Sequence, residues 1–113
     1  MDINETAQAA YDNTIAHGFR DNTNPNDLRQ TATELMLITS ELAEALEIVR
    51  DNHPLSEIYY GTNGKPEGFG IELADAVIRI MDTAVARGID LAAAIEAKME
   101  YNESRPYKHG RSF

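Results

Sequence analysis

Leu35-Met36-Leu37-Ile38-Thr39-Ser40-Glu41-Leu42-Ala43-Glu44-Ala45-Leu46-Glu47 is the stretch on which the fold turns. It contains neither glycine nor proline, and its apolar residues recur at intervals of three and four, which predicts an amphipathic helix. At 100° per residue Leu35, Ile38, Leu42, Leu46 and, just beyond, Val49 fall in one arc and are the expected core stripe. Glu41 lies off that arc, yet Leu37 and Ile48 project close beside it and Ala45 lies beyond. An unpaired carboxylate among apolar neighbours is costly, so Glu41 resists assignment to a merely solvated face. Glu44 and Glu47 step progressively away from it.

Punctuation on either side divides the chain into four helical segments. Asp2 is a cap for a first helix running to about His17, stopped by Gly18. Ile3, Ala7, Ala10, Tyr11, Thr14 and Ile15 fall on one side of it. Phe19 to Asn26 includes Asp21-Asn22-Thr23-Asn24-Pro25-Asn26, a turn-rich connection, with Asn26 the expected cap of a second helix from Asp27 to about Arg50. A loop with Pro54, Gly61, Gly64, Pro66, Gly68 and Gly70 occupies Asp51 to Gly70, and so long a structureless connection in a compact domain is often functional. A third helix is expected from about Ile71 to Arg87 with Gly88 after it, and a fourth, capped by Asp90, from Leu91 to about Ser104. Arg105-Pro106 stops the fourth helix, and a short basic tail runs from Tyr107 to Phe113. No segment alternates with period two, so the expected fold is all-α, a four-helix bundle.

The 113 residues allow one domain, 1–113. Without cysteine there can be no disulfide framework, thiolate zinc site or cysteine nucleophile. No stretch approaches the roughly 20 apolar residues of a membrane span, and the N-terminal residues lack the basic start and apolar run of a signal peptide. The chain therefore reads as soluble and cytoplasmic. Nineteen acids against ten Lys and Arg give a formal charge of −9, which argues against a nucleic-acid partner, since backbone binding needs a basic face. A small polyphosphate stays admissible if metal ions stand between it and the carboxylates.

Glu41 and Glu44 are three residues apart, and so are Glu72 and Asp75. Side chains at that spacing share a helix face, with Cβ atoms about 5–6 Å apart, so each pair can converge on one ion. Two such pairs on facing helices would supply hard oxygen ligands of the kind Mg²⁺ takes at about 2.0–2.1 Å, commonly bridging to substrate phosphates. The competing reading is plainer. Acids three apart are common on solvated helices, and Asp75 with Arg79 can make an i,i+4 salt bridge on a face that also carries Asp82 and Thr83. A di-iron carboxylate bundle would need Glu-x-x-His, but Thr14, Arg50 and Pro106 precede His17, His53 and His109. Gly61-Thr62-Asn63-Gly64-Lys65 is no phosphate loop either, because Tyr59 and Pro66 stand where its pattern requires glycine and a hydroxyl residue.

Lys98, Asn102 and Arg105 share a face of the fourth helix, followed by Lys108, His109 and Arg111. They suit anionic oxygens, and equally they complement the negative end of a helix dipole.

Leu35 to Glu47 and Glu72 to Asp82, together with Gly64-Lys65-Pro66-Glu67-Gly68 and the ending from Lys98 to Gly110, resemble the MazG-like nucleotide pyrophosphohydrolases. The signature of that family, Glu-x-x-Glu, a spacer and Glu-x-x-Asp, is met by Glu41, Glu44, Glu72 and Asp75 with 27 residues between the pairs. Ser40 stands where many relatives have an additional glutamate. The resemblance spans residues 28 to 110 or so. It implies Mg²⁺-dependent hydrolysis of (deoxy)nucleoside triphosphates to monophosphate and pyrophosphate, with Mn²⁺ a possible substitute. Glu41, Glu44, Glu72 and Asp75 would be the metal ligands, one of Glu41 and Glu44 the catalytic general base, with Glu41 preferred for its more apolar setting, and Lys98, Asn102 and Arg105 the phosphate ligands. It further implies a homodimer or homotetramer. Phosphoribosyl-ATP pyrophosphohydrolase activity and a non-catalytic acidic helical binding protein are the alternatives. If Glu41 belongs to a four-acid cluster, removing its charge should relieve repulsion and leave the metal-free protein no less stable.

Overall fold

The computed structural model describes residues 2–111, and they are mainly helical. Four helices, α1 (Ile3–Ala16), α2 (Leu28–Arg50), α3 (Phe69–Ala86) and α4 (Leu91–Glu103), are joined in sequence. Asp2 caps α1 by accepting from the Glu5 N–H at 2.7 Å. The cap of α2 is Asp27, which accepts from the Arg29 N–H at 2.9 Å, and not the expected Asn26. Asp90 caps α4, accepting from the Ala93 N–H at 3.0 Å and from the Asn4 side chain at 2.9 Å, which ties α4 to the start of α1. Gly18 and Gly88, both at positive φ, turn the chain after α1 and α3.

The expected structureless loop carries order of its own. Tyr59–Tyr60 (β1) pairs antiparallel with Pro66–Glu67 (β2) around a 3₁₀ turn at Thr62–Gly64. The hairpin delivers the chain to Gly68 at φ 136°, and α3 begins at Phe69, two residues before the expected start. The tail forms a 3₁₀ turn over Tyr107–Gly110; Met1, Ser112, Phe113 and the His109 side chain lie outside the described residues.

α3 is the hub, packed against α1 and α2 along its length and more sparingly against α4. Among the described residues the buried apolar ones are small: Ala7, Ala45, Ala76 and Ala84, with Met81 the one larger side chain. Alanine at these positions lets helices approach closely but encloses little apolar volume.

The face that α2 turns inward corrects the sequence expectation. Leu35, Leu42, Leu46 and Val49 are exposed, and Ile38 alone of the expected stripe is half-buried. The packed arc is Glu34, Ile38, Glu41, Ala45 and Ile48, spaced by four and three as a helix seam requires. Two carboxylates make that arc look polar. They are tolerated because arginines from elsewhere in the chain meet them. Arg20 and Arg87 donate to Glu34 at 2.8 and 2.9 Å, and Arg79 donates to Glu41 at 2.8 Å.

The chain is also more open than its size predicts. Its radius of gyration is 16.7 Å, against about 13 Å for a compact domain of this length. Its accessible surface is 8469 Å², against about 6,200 Å² for a compact monomer of this mass. No helix among the described residues is long and apolar enough to cross a membrane.

Candidate functional site

The packing of α2 on α3 brings the two acidic pairs together. One carboxylate oxygen from each of Glu41, Glu72 and Asp75 lies within 4.8 Å of the others. Glu44, exposed one turn beyond Glu41, lies outside this closest group but near enough to perturb the carboxyls of Glu72 and Glu41. Glu47 is turned away into solvent, where it meets Arg50 at 3.3 Å. The spacing of three thus selects the acids that converge, and the packing seam selects which of the three glutamates on α2 take part.

Glu72 carries the electrostatic strain. Burial first, and then the neighbouring Glu44, Glu41 and Asp75, push its carboxyl up to about 7. Its Oε2 is buried and finds no donor. A buried acceptor without a partner costs free energy, and here the neighbouring acids disfavour the ionised form of Glu72 as well. For Glu41 burial acts upward too, but the hydrogen bond and charge of Arg79 hold it below the usual carboxylate range. The i,i+4 pair envisaged between Asp75 and Arg79 does not form: Arg79 crosses from α3 to α2 and takes Glu41 instead.

A cleft of about 490 Å³ opens beside the acids, with Glu41 and Asp75 belonging to both. Asn13 and Thr14 of α1, Phe19 and Arg20 of the connection, Gln30 and Leu37 of α2, and Ile78, Arg79 and Asp82 of α3 complete the lining. Its floor is the polar network around Glu34, a residue that sequence reasoning missed. Burial disfavours the Glu34 carboxylate, yet hydrogen bonds from Arg87, Arg20, Gln30 and Thr83 outweigh this and hold it well below the ordinary range. Arg20 completes the network by donating Nε to Asp82 at 3.1 Å. The signal for Glu34 was its position seven residues, two helical turns, before Glu41.

Lys98, Asn102 and Arg105 are not part of this cleft. α4 projects with no buried residue, and Lys98 and Arg105 lie over the Tyr101 ring at 5.0 and 5.5 Å. Within one chain the site is therefore three converging carboxylates from two helices with the exposed Glu44 beside them, an arginine and a neighbouring cleft.

The donor set suits a hard divalent cation. Glu41, Glu72 and Asp75, whose oxygens lie within 4.8 Å of one another, are the residues that would hold it. The unpartnered Glu72 Oε2 is the observation that asks for one. No family model, curated protein or solved structure matches the chain significantly.

Proposed function

We propose that the chain is a Mg²⁺-dependent nucleotide pyrophosphohydrolase of the MazG-like kind, converting (deoxy)nucleoside triphosphates to monophosphate and pyrophosphate. The observation that carries this reading is the convergence of Glu41, Glu72 and Asp75 from two helices onto one point, with a buried Glu72 oxygen lacking a donor. Glu41, Glu44, Glu72 and Asp75 would hold the ion. When bound, Mg²⁺ supplies charge neutralisation for the polyphosphate and acidifies a water directed at the α-phosphorus.

The protein's own part is positioning and proton transfer. Glu44 is the better candidate for general base, because Glu41 is committed to Arg79 and held low by it. Glu44 accepts a proton from the attacking water as the new P–O bond forms, and the α–β bridging P–O bond breaks to release pyrophosphate. The cleft bordered by Asn13, Phe19 and Gln30 offers space for the nucleoside beside the acids.

We also propose that the working unit is a homo-oligomer. The exposed stripe Leu35, Leu42, Leu46 and Val49 and the excess of accessible surface both favour it. Lys98, Asn102 and Arg105, absent from the cleft of their own chain, are then available to a site on another copy.

The test is pyrophosphate release from the eight common NTPs and dNTPs with Mg²⁺, Mn²⁺ or excess EDTA. Monophosphate and pyrophosphate should form with metal and not with chelator. Release of orthophosphate and diphosphate, turnover in EDTA, or no turnover of any nucleotide would refute the reading.

A further inference from the structure

We infer that Arg79 is the phosphate-binding cation contributed to this site by its own chain, and that its ligand is the polyphosphate of an incoming substrate; the inference rests on the reading of the site as a metal-dependent nucleotide hydrolase. Four carboxylates around one divalent ion keep the site anionic, so a polyphosphate entering beside them needs a further cation on the cleft side. Among the described residues two cationic side chains line the cleft, Arg20 and Arg79.

Arg20 has nothing left to give. Its Nε serves Asp82, both terminal amino groups serve Glu34, and its side chain is 8% exposed. Arg87 is bound to Glu34 in the same way, at 13%. These two are the counter-ions of a buried acid.

Arg79 differs on each point. Its side chain is 44% exposed and only Nε is engaged, at 2.8 Å from Glu41 Oε1. Among the described residues neither terminal amino group has a hydrogen-bond partner. The guanidinium is thus anchored at its root and free at its fork, the part whose geometry suits paired phosphate oxygens. It stands one turn after Asp75 and is held by Glu41, both members of the acid cluster. Glu41 therefore joins the cation site to the phosphate site, and the anchoring reduces the side-chain entropy lost when an anion binds.

The assignment is tested by calorimetric titration of the full chain, Mg²⁺-loaded, with inorganic tripolyphosphate, comparing wild type with Arg79→Gln and Arg79→Lys. Arg79→Gln should weaken tripolyphosphate binding at least tenfold and Arg79→Lys by less, while affinity for Mg²⁺ alone is kept or raised because Glu41 loses a competing cation. Thermal melts of each variant identify any loss of fold, and Arg79→Lys, which keeps the charge, carries the comparison if Arg79→Gln is unfolded. Tripolyphosphate affinity equal to wild type in Arg79→Gln, a parallel loss of Mg²⁺ and tripolyphosphate affinity, or no tripolyphosphate binding by wild type would each overturn the assignment. Failure of the parent reading looks different: wild type then binds tripolyphosphate through Arg79 but hydrolyses no nucleotide.

Discussion

Glu72 is where the acid cluster can be read by titration. Its carboxyl is raised to about 7 in the folded chain from an ordinary value of 4.5. Between those values the native state holds a proton that the unfolded chain has released. The stability gained from this proton is complete below about pH 4.5 and lost as pH rises through about 7. Without metal, the melting temperature of wild type should therefore fall between about pH 5 and 7.5 relative to Glu72→Gln. With saturating Mg²⁺ that difference should vanish, because the ion favours the ionised carboxylate, and binding below about pH 7 should release a proton. Identical pH slopes for wild type and Glu72→Gln would contradict the like-charge cluster. Relief of repulsion was expected from the sequence at Glu41, but Arg79 already compensates that charge, and the uncompensated member is Glu72. Glu34 predicts the opposite behaviour. Glu34→Ala leaves Arg20 and Arg87 buried without their anion and should cost about 3–5 kcal/mol in urea denaturation. A loss below about 1 kcal/mol would show that the network relaxes into water.

At the scale of elements, the second helix shows what the sequence carries and what it hides. The acids at Glu41, Glu44, Glu72 and Asp75 were legible because a spacing of three fixes a shared face whatever the tertiary fold. The buried seam was not. Glu34 is paired with Arg20 and Arg87, 14 and 53 residues away, and nothing local distinguishes it from a surface glutamate. A hydrophobicity pattern ranks arcs by apolar content, so it chose the exposed leucines over an arc carrying two neutralised acids. Helix boundaries were legible to within two residues, since Asp2, Asp90, Gly18 and Gly88 act through their own backbone geometry. The hairpin before the third helix escaped notice because two-residue strands show no periodicity. Gly68 fixes its exit: a Cβ there would lie 2.4 Å from the Glu57 carbonyl oxygen, at a φ of 136°. Gly68→Ala should destabilise the protein by more than about 1 kcal/mol, the strain adding to the clash. It should also weaken Mg²⁺ binding, because Glu72 sits in the first turn that Gly68 begins. A variant with wild-type melting and Mg²⁺ affinity would free the hairpin from any part in positioning Glu72.

For the molecule as a whole, the deciding quantity is surface. The 8469 Å² of accessible area exceeds that of a compact monomer by on the order of 2,000 Å². A protomer of a large obligate dimer hides about 1,000–2,500 Å², so the excess is of the size that one such interface removes. The exposed residues have the matching chemistry. Leu35, Leu42, Leu46 and Val49 form a continuous stripe on a 23-residue helix, and the core beneath holds mainly alanines. Burying that stripe against its own copy would supply the apolar contact that the single chain lacks. The prediction is an oligomer at micromolar concentration by sedimentation equilibrium, with a melting temperature that rises with protein concentration. Leu42→Lys combined with Leu46→Lys should dissociate it and lower the melting temperature, since two charges would enter an apolar interface. If the stripe were only surface, each substitution would change stability by no more than about 0.5 kcal/mol and leave the mass unchanged. A wild-type monomer with full turnover at assay concentration would rule out assembly as a requirement for the site. A dissociated double variant that keeps Mg²⁺ affinity but loses turnover would separate the roles: the four carboxylates belong to one chain, and completion of the substrate site to its assembly.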